Sequence, residues 1–280
     1  MQSNQHHFSA RIGYATTKEF KSIDWINDDV FRATKDGWDN TSIWSGDVIR
    51  IRDRFLFYYT SRDNAVDDGF TQNIGLAYSK DFVHWNRVKE FRIQPDEKYY
   101  EPRSLEGDST IHAWRDPFLF LVEDEIYMLL SSKSKNLPLH KNGSIALLRS
   151  KENSFTNWEI LPPIFSSGWY SECEVSQIYL HGEDYILTYS SWAKFDGCPH
   201  TNKDGGLHGV PYSRISPFQQ GLIGTPKVLL PESSGLYACK VIPELNGDIV
   251  GFDFEKGGLR RVSAKTGLKS VTRDFTKFSL

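Results

Sequence analysis

Short segments rich in aromatic and β-branched residues recur along the chain in pairs, and Gly, Asp and Asn separate the two members of each pair. The clearest pairs occupy residues 54–61 and 73–85, 125–132 and 143–150, 184–191 and 208–213, and 247–254 and 258–263. Residues 11–16, followed by Trp25, resemble the second half of one further unit. This pattern is typical of β-strands joined by turns. Because no segment shows a sustained helical period with caps, we expect few helices.

The repeated order of strand, turn, strand and then, in several units, a tryptophan indicates radial repetition of one sheet unit. Four full units and one partial unit predict an all-β fold, a five-bladed β-propeller whose first blade is incomplete. We expect residues 1–280 to form this propeller as a single domain. A β-sandwich is the alternative architecture, but it does not account for the repeated strand–strand–tryptophan pattern.

Composition narrows the classes of function. Aromatic residues make up 14% of the chain, which suits both the packing of sheets and the binding of sugar rings. The formal net charge is −3 and the basic residues form no run, so we expect neither nucleic acid nor an anionic membrane as a partner. The chain has three cysteines without metal-ligand spacing and no long apolar run, which predicts a reduced, cytoplasmic protein without a metal site.

Two acidic motifs stand just ahead of the second and third units, where the innermost strand of a blade begins. They are Trp114-Arg115-Asp116-Pro117 and the segment Ser171-Glu172-Cys173-Glu174-Val175-Ser176-Gln177. Inner strands of a propeller line a central channel, so acids at this point of neighbouring units face one space. Cleavage of a glycosidic bond requires such a group of acids, one protonated and one charged. Mutual repulsion and burial separate their pKa values. The alternative is that Arg115 and Asp116 merely pair with each other in a turn.

These motifs resemble a known group of enzymes. Trp-Arg-Asp-Pro at 114–117 resembles the Arg-Asp-Pro signature of glycoside hydrolase families 32 and 68, the invertase and levansucrase clan. Ile-Trp-Ser-Gly at 43–46 resembles the Trp-Ser-Gly-Ser motif of that clan, with Asp47 in place of the last serine. Residues 172–176 resemble the Asp-Glu-x-Glu-x-Pro segment of levansucrases. Residues 74–85 are also typical of these enzymes and of family 43 arabinanases.

The resemblance implies roles for most of these residues. Asp116 would stabilise the transition state by holding sugar hydroxyls, and Glu174 would be the general acid/base with Glu172 as a neighbour that orients the substrate. A match to the Glu-Cys motif of invertases would assign the acid/base to Glu172 instead. Further residues of the sugar site would be Trp44, Ser45, Asp47 and Arg115.

The nucleophile is the point at which the sequence departs from the clan. The position equivalent to the clan's nucleophilic aspartate falls upstream of Met1. Asp39 lies in Trp38-Asp39-Asn40, which resembles a levansucrase Trp-Asp-Ser, and is our first candidate. Asp47 is the second, because alternation along a strand places it on the same side as Ser45. A nucleophile elsewhere, a strand supplied by another chain, or a protein that binds sugar without cleaving it are the open explanations.

The sequence as a whole predicts a glycoside hydrolase of the β-fructofuranosidase type, acting on sucrose or short fructan-like oligosaccharides. Such chemistry requires no cofactor. Carboxyl groups about 5–5.5 Å apart would imply retention, and about 6.5–9.5 Å would imply inversion and a family 43-like arabinosidase or xylosidase. The alternatives are a non-catalytic sugar-binding propeller and a protein-interaction propeller. An incomplete blade leaves exposed strand edges, so we also expect a homodimer.

Overall fold

The computed structural model describes residues 6–67, 69–106, 112–193, 204–212 and 224–279, and these residues are predominantly in β-strands. The helical segments in these ranges are short, as the sequence predicts. They are α1 (His6–Ser9), α2 (Asn64–Asp67) and the 3₁₀ turns Glu232–Ser234 and Pro243–Leu245. None of the described helices is long and apolar enough to cross a membrane.

Four antiparallel sheets form the blades, and in each the strands follow one another in chain order from the inner strand outwards. The first blade contains β3 (Ile43–Ile51), β4 (Arg54–Arg62), β5 (Gln72–Ser79) and β6 (Trp85–Arg87). The second contains β7 (Trp114–Val122), β8 (Glu125–Lys133), β9 (Gly143–Ser150) and β10 (Trp158–Ser166). The third contains β11 (Glu174–His181), β12 (Asp184–Ser191), β13 (Gly206–Tyr212) and β14 (Lys227–Pro231). The fourth contains β15 (Leu236–Ile242), β16 (Asp248–Asp253) and β17 (Leu259–Val262).

The N-terminal unit is a separate two-stranded sheet. It pairs β1 (Ile12–Thr16) with β2 (Asp24–Phe31) and packs against the blade of β3 to β6 through an aromatic cluster that includes Phe31 and Phe57. Within the described residues the protein therefore has four blades rather than the five predicted. The two-stranded sheet occupies the place of the blade that the sequence predicted to be incomplete.

The inner strands β3, β7, β11 and β15 contact one another in sequence around the channel. Each inner strand contains a bulge close to its amino-terminal end, where its register with the second strand of the blade shifts. In three of them the bulge holds a non-glycine residue with positive φ, at Asp116, Val175 and Ala238. A bulge interrupts the alternation of side chains along a strand and can re-aim one of them. The channel mouth is thus the place where side-chain direction departs from strand periodicity.

The final segment of the chain packs at the opposite end of the inner strands. The short strand β18 (Lys269–Ser270) pairs with the inner strand β11, and the Leu121 N–H donates to the carbonyl of Thr272. Beyond this point Phe275 is fully buried in the same apolar cluster as Trp114. The final segment therefore forms part of the core of the propeller.

We expect Phe275→Ala to lower the free energy of unfolding by about 3–5 kcal/mol, because it removes a buried aromatic ring and leaves a cavity. Thermal or urea unfolding measures the change. The control is Phe252→Ala, since Phe252 is 47% exposed. Equal effects of the two substitutions would show that the final segment does not stabilise the propeller.

Candidate active site at the mouth of the channel

Three neighbouring inner strands place a polar residue at the same height, immediately before the bulge. These residues are Arg115, Glu174 and Tyr237, each the last in register with the second strand before the pairing shifts. Arg115 Nη2 donates to Glu174 Oε1 at 2.6 Å, and the Tyr237 hydroxyl donates to Glu174 Oε2. Both oxygens of the Glu174 carboxyl group are therefore held from adjacent blades.

The surroundings of Glu174 favour its protonated form. Burial raises the pKa of Glu174 above its usual value, and the nearby charges of Glu172 and Asp116 raise it further. Arg115 and the Tyr237 hydroxyl act in the opposite direction, but the pKa remains raised. A raised pKa keeps a carboxyl group protonated to higher pH, which suits it to donate a proton to a leaving group.

Asp116 is held in the opposite manner, by donors that stabilise a negative charge. The Ser131 hydroxyl donates to Asp116 Oδ2 at 2.7 Å, and the Val175 N–H donates to the same oxygen at 3.0 Å. The Ser45 hydroxyl donates to Oδ1. The left-handed backbone of Asp116, with φ of 59°, turns its side chain towards these three donors. The result is an oriented carboxylate, which can accept hydrogen bonds from sugar hydroxyls.

Arg115 joins all the acids of the site. Its Nη2 lies 2.9 Å from Glu172 Oε2, and its Nε lies 3.8 Å from Asp116 Oδ2. Burial alone would lower the pKa of Arg115, but the charges of Glu172, Glu174 and Asp116 raise it above its usual value. Glu172 also pairs with the buried Lys133 at 2.8 Å.

The charge balance follows from these contacts. Within the described residues, two cations, Arg115 and Lys133, contact three carboxyl groups, those of Asp116, Glu172 and Glu174. Burying three ionised carboxylates beside two cations is costly, and a proton on one of them lowers that cost. The raised pKa of Glu174 agrees with this balance.

Of the residues predicted from sequence, the structure brings together Ser45, Arg115, Asp116, Glu172 and Glu174. Trp44 lies beside them on β3, where its ring centroid is 4.9 Å from the Arg62 guanidinium carbon.

Asp39 lies elsewhere, and its prediction as the nucleophile is corrected. It is 3% exposed, and its carboxylate accepts hydrogen bonds from the Tyr59 hydroxyl at 2.9 Å and from Arg87 Nε at 2.6 Å. The Tyr59 ring lies against Gly75 of β5, and Arg87 belongs to the outermost strand β6. Asp39 therefore pairs with Arg87 over the outer strands of the blade and is not aimed at Glu174.

Asp47 is also corrected as a residue of the sugar site. Its two oxygens lie 2.7 and 2.6 Å from Arg273 Nη2, and Oδ2 accepts the Leu119 N–H. The argument from strand alternation fails because the register of β3 shifts between Ile43 and Gly46, so Ser45 and Asp47 are not related by regular alternation. Asp47 serves to anchor the final segment of the chain.

The sequence argument missed Tyr237, Lys133 and Gln72. Tyr237 stacks on Trp192 with ring centroids 4.1 Å apart, and Gln72 Oε1 accepts from Arg115 Nη1 at 3.1 Å. A signal for Tyr237 was available, because Tyr-Ala-Cys at 237–239 stands ahead of the fourth unit as Arg-Asp-Pro stands ahead of the second. Lys133 and Gln72 lie at strand ends with no motif around them.

A separate cavity of about 710 Å³ lies at the other end of the inner strands. It is lined by Val48, Phe118, Tyr179, Lys240 and Arg273, among others. Because the acids lie at the amino-terminal ends of the same strands, this cavity is distinct from the candidate site. Across the described residues, no group of three or more His, Cys, Asp or Glu side chains is arranged to hold a metal ion.

The chain is similar in sequence to known glycosyl hydrolases. Residues 5–195 match the model of the glycosyl hydrolases family 32 N-terminal domain. A sucrose-6-phosphate hydrolase of Lactococcus lactis subsp. lactis is 25% identical over 199 residues, which cover 65% of this chain and 38% of that protein. This chain thus spans well under half the length of that curated relative.

Two solved structures are similar in fold. The inulosucrase from Halalkalicoccus jeotgali bound to kestose has a TM-score of 0.64 at 17% identity, covering 99% of this chain and 82% of the other. The catalytic domain of the Microbacterium saccharophilum K-1 β-fructofuranosidase has a TM-score of 0.62 at 17% identity, covering 87% and 65%. At these identities the likeness establishes the β-propeller fold.

We expect Lys133→Met to lower the free energy of unfolding by about 3 kcal/mol, because it removes one of the two cations that compensate the buried Glu172. The double variant Lys133→Met/Glu172→Gln should recover most of that loss, and thermal or urea unfolding measures both. Lys135→Met is the control, since Lys135 is exposed. A double variant no more stable than Lys133→Met would contradict the pairing.

The raised pKa of Glu174 also predicts a dependence of stability on pH. The folded state holds this proton more tightly than the unfolded state, so the stabilising contribution is complete below the unfolded pKa of 4.5 and is lost as pH rises through the higher folded pKa. Glu174→Gln lacks this titration. The melting temperature of the wild type should therefore fall relative to that of Glu174→Gln as pH rises from 4.5, and a constant difference would refute the raised pKa.

Proposed function

Since the chain belongs to glycosyl hydrolase family 32, we propose that it is a glycoside hydrolase of the β-fructofuranosidase type, acting on sucrose or short fructan-like oligosaccharides. The observation that carries this proposal is the carboxyl pair at the channel mouth. The pKa of Glu174 is raised, Asp116 is oriented by three hydrogen-bond donors, and both side chains lie against the guanidinium of Arg115. A carboxyl group that keeps its proton is what protonation of the leaving group in glycoside cleavage requires.

Each side chain has a defined part in this reaction. Glu174 donates its proton to the glycosidic oxygen, and the negative charge it acquires is stabilised by Arg115 and the Tyr237 hydroxyl, which already contact it. Asp116 accepts hydrogen bonds from sugar hydroxyls, which strengthen as positive charge develops on the ring. The bond between the anomeric carbon and the glycosidic oxygen breaks as that oxygen is protonated. Water then forms a bond to the anomeric carbon and gives its proton to Glu174, which restores the acid.

The names of similar proteins support a small sugar as the substrate. One is called a sucrose-6-phosphate hydrolase, and another was solved with kestose bound. The stacked rings of Trp192 and Tyr237 lie beside Glu174 and provide an aromatic surface against which a sugar can pack. The assay panel therefore includes sucrose, its phosphorylated form and kestose, with aryl arabinosides and xylosides as tests of the family 43-like alternative.

A second candidate function is binding of sugar without cleavage. It is favoured by the contacts of Asp39 and Asp47, because each is held in an ion pair away from Glu174. In that case Asp116 and Glu174 would serve only as partners of sugar hydroxyls. A cytoplasmic location, a homodimer and a single domain over residues 1–280 stay predictions.

We expect Glu174→Gln to lower kcat for sucrose by about 10²–10⁴-fold, the usual contribution of a general acid. With a nitrophenyl fructoside the loss in the first step should be smaller, because nitrophenolate leaves without a proton. Released fructose and nitrophenol measure the two rates. The control is Glu159→Gln, which removes a carboxylate that pairs with Arg149 on the outer strands.

The same assays separate the two candidate functions. Equal losses with both leaving groups would contradict the role of Glu174 as a general acid. No release of sugar by the wild type, together with calorimetric binding of sucrose or kestose, would favour the non-catalytic protein.

A further inference from the structure

Beside the candidate site is a buried cation, Arg62, which ends strand β4 and is 1% exposed. No Asp or Glu in the described ranges forms an ion pair with it. Its Nε and Nη2 atoms are buried without hydrogen-bond partners. These two nitrogens form one edge of the guanidinium, the edge that binds carboxylate or phosphate through two parallel hydrogen bonds. Such an edge left empty in a buried position is costly.

Gln72 adds a further unsatisfied donor on the same side of the sheet. It lies directly opposite Arg62 in the pairing of β4 with β5, so the two side chains leave the sheet on the same face. Its Oε1 accepts from Arg115 Nη1 and from the Trp114 N–H, which assigns the other end of the amide as Nε2. Nε2 is also buried without a partner. Three nitrogens of two neighbouring side chains therefore lack acceptors.

The carboxylate of Asp67, whose charge acts on Arg62, accepts its hydrogen bonds from other groups. Burial lowers the pKa of Arg62 to about 10, and the charge of Asp67 opposes this. The Asp67 carboxylate accepts hydrogen bonds from Phe70 N–H, Thr71 N–H and the Thr71 hydroxyl, and it forms no ion pair with Arg62. The ring centroids of Phe8 and Trp44 lie 5.3 and 4.9 Å from the guanidinium carbon of Arg62. Aromatic rings accept no conventional hydrogen bond from the edge of the guanidinium.

Two connections place these donors next to the channel mouth. Gln72 is one hydrogen bond from the guanidinium that holds Glu174. Trp44, which contacts Arg62, precedes Ser45, whose hydroxyl donates to Asp116. A group bound by Arg62 and Gln72 would therefore adjoin a sugar held by Asp116.

We propose that Arg62 and Gln72 bind an oxyanion carried by the sugar in the channel mouth, either a phosphate ester or a carboxylate. This inference rests on the proposed function for the position of the sugar, but the binding of an anion by these residues is independent of cleavage. Donors without acceptors and a positive charge without an ion pair among the described residues together select an anion over a neutral hydroxyl.

The direct test is calorimetric titration of the purified protein with inorganic phosphate, and with acetate in a parallel arm. We expect saturable binding by the wild type and at least tenfold weaker binding by Arg62→Met. Arg62→Lys keeps the charge but loses the two-nitrogen edge, and should bind with intermediate affinity. Tighter binding of phosphate than of acetate would identify a phosphate ester as the ligand, and the reverse order would identify a carboxylate.

Arg52→Met is the matched control, because Arg52 is an exposed arginine in the turn between β3 and β4 of the same blade. It should bind like the wild type, and circular dichroism confirms that each variant is folded. No binding by the wild type, or equal binding by Arg62→Met and the wild type, would overturn the proposal.

Kinetics then connect the site to the substrate. The ratio of kcat/KM for sucrose 6-phosphate to kcat/KM for sucrose should fall at least tenfold in Arg62→Met if the ligand is a phosphate ester. A wild type that binds phosphate through Arg62 but releases no sugar would retain the anion site and refute the proposed hydrolase. A wild type that cleaves sucrose but binds neither phosphate nor acetate would support the proposed hydrolase and refute the anion site.

Discussion

The arrangement of the channel mouth depends on the guanidinium of Arg115. It is buried among three carboxyl groups, and within the described residues Lys133 is the other cation that forms an ion pair with one of them. Because charges are costly to bury, the number of cations determines how many of these acids can be ionised at once. The raised pKa of Glu174 agrees with this limit, and a proton held there is what the proposed glycosidase chemistry needs. A proton on Glu174 would thus both reduce the buried charge and provide the acid of the proposed reaction.

The backbone makes this balance possible through repeated bulges. A regular strand would send Arg115 and Asp116 to opposite faces of their sheet, yet both side chains reach the same group of acids. Positive φ values at Asp116, Val175 and Ala238 lie at corresponding points of three inner strands, so the propeller repeat carries the strained conformation from blade to blade. At the opposite end of the inner strands, the final segment is bound by Asp47 and buried at Phe275.

The anion site proposed for Arg62 and Gln72 rests on the same cost of burying a charge without a countercharge. In the candidate active site both Arg115 and Lys133 contact carboxylates, whereas Arg62 contacts none in the described part of the chain. A missing countercharge in a buried site is most simply explained by a ligand that brings it. Gln72 connects the two regions, because one end of its amide supports Arg115 and the other end is free to donate.

The sequence by itself determined the strands, their repetition and the identity of the central acids. Alternating aromatic and β-branched segments specify sheets through local preferences, and Arg-Asp-Pro and Glu-Cys-Glu recur at one point of the repeat. Tertiary structure decided the rest, because direction and charge compensation depend on residues distant in the chain. The Asp39 side chain is directed by Arg87 and that of Asp47 by Arg273, partners that no local pattern identifies. Likewise, the bulge in β3 breaks the alternation from which Asp47 was assigned to the channel. Local preferences of neighbouring residues determine where strands form, whereas the pairing of buried charges depends on tertiary contacts between blades.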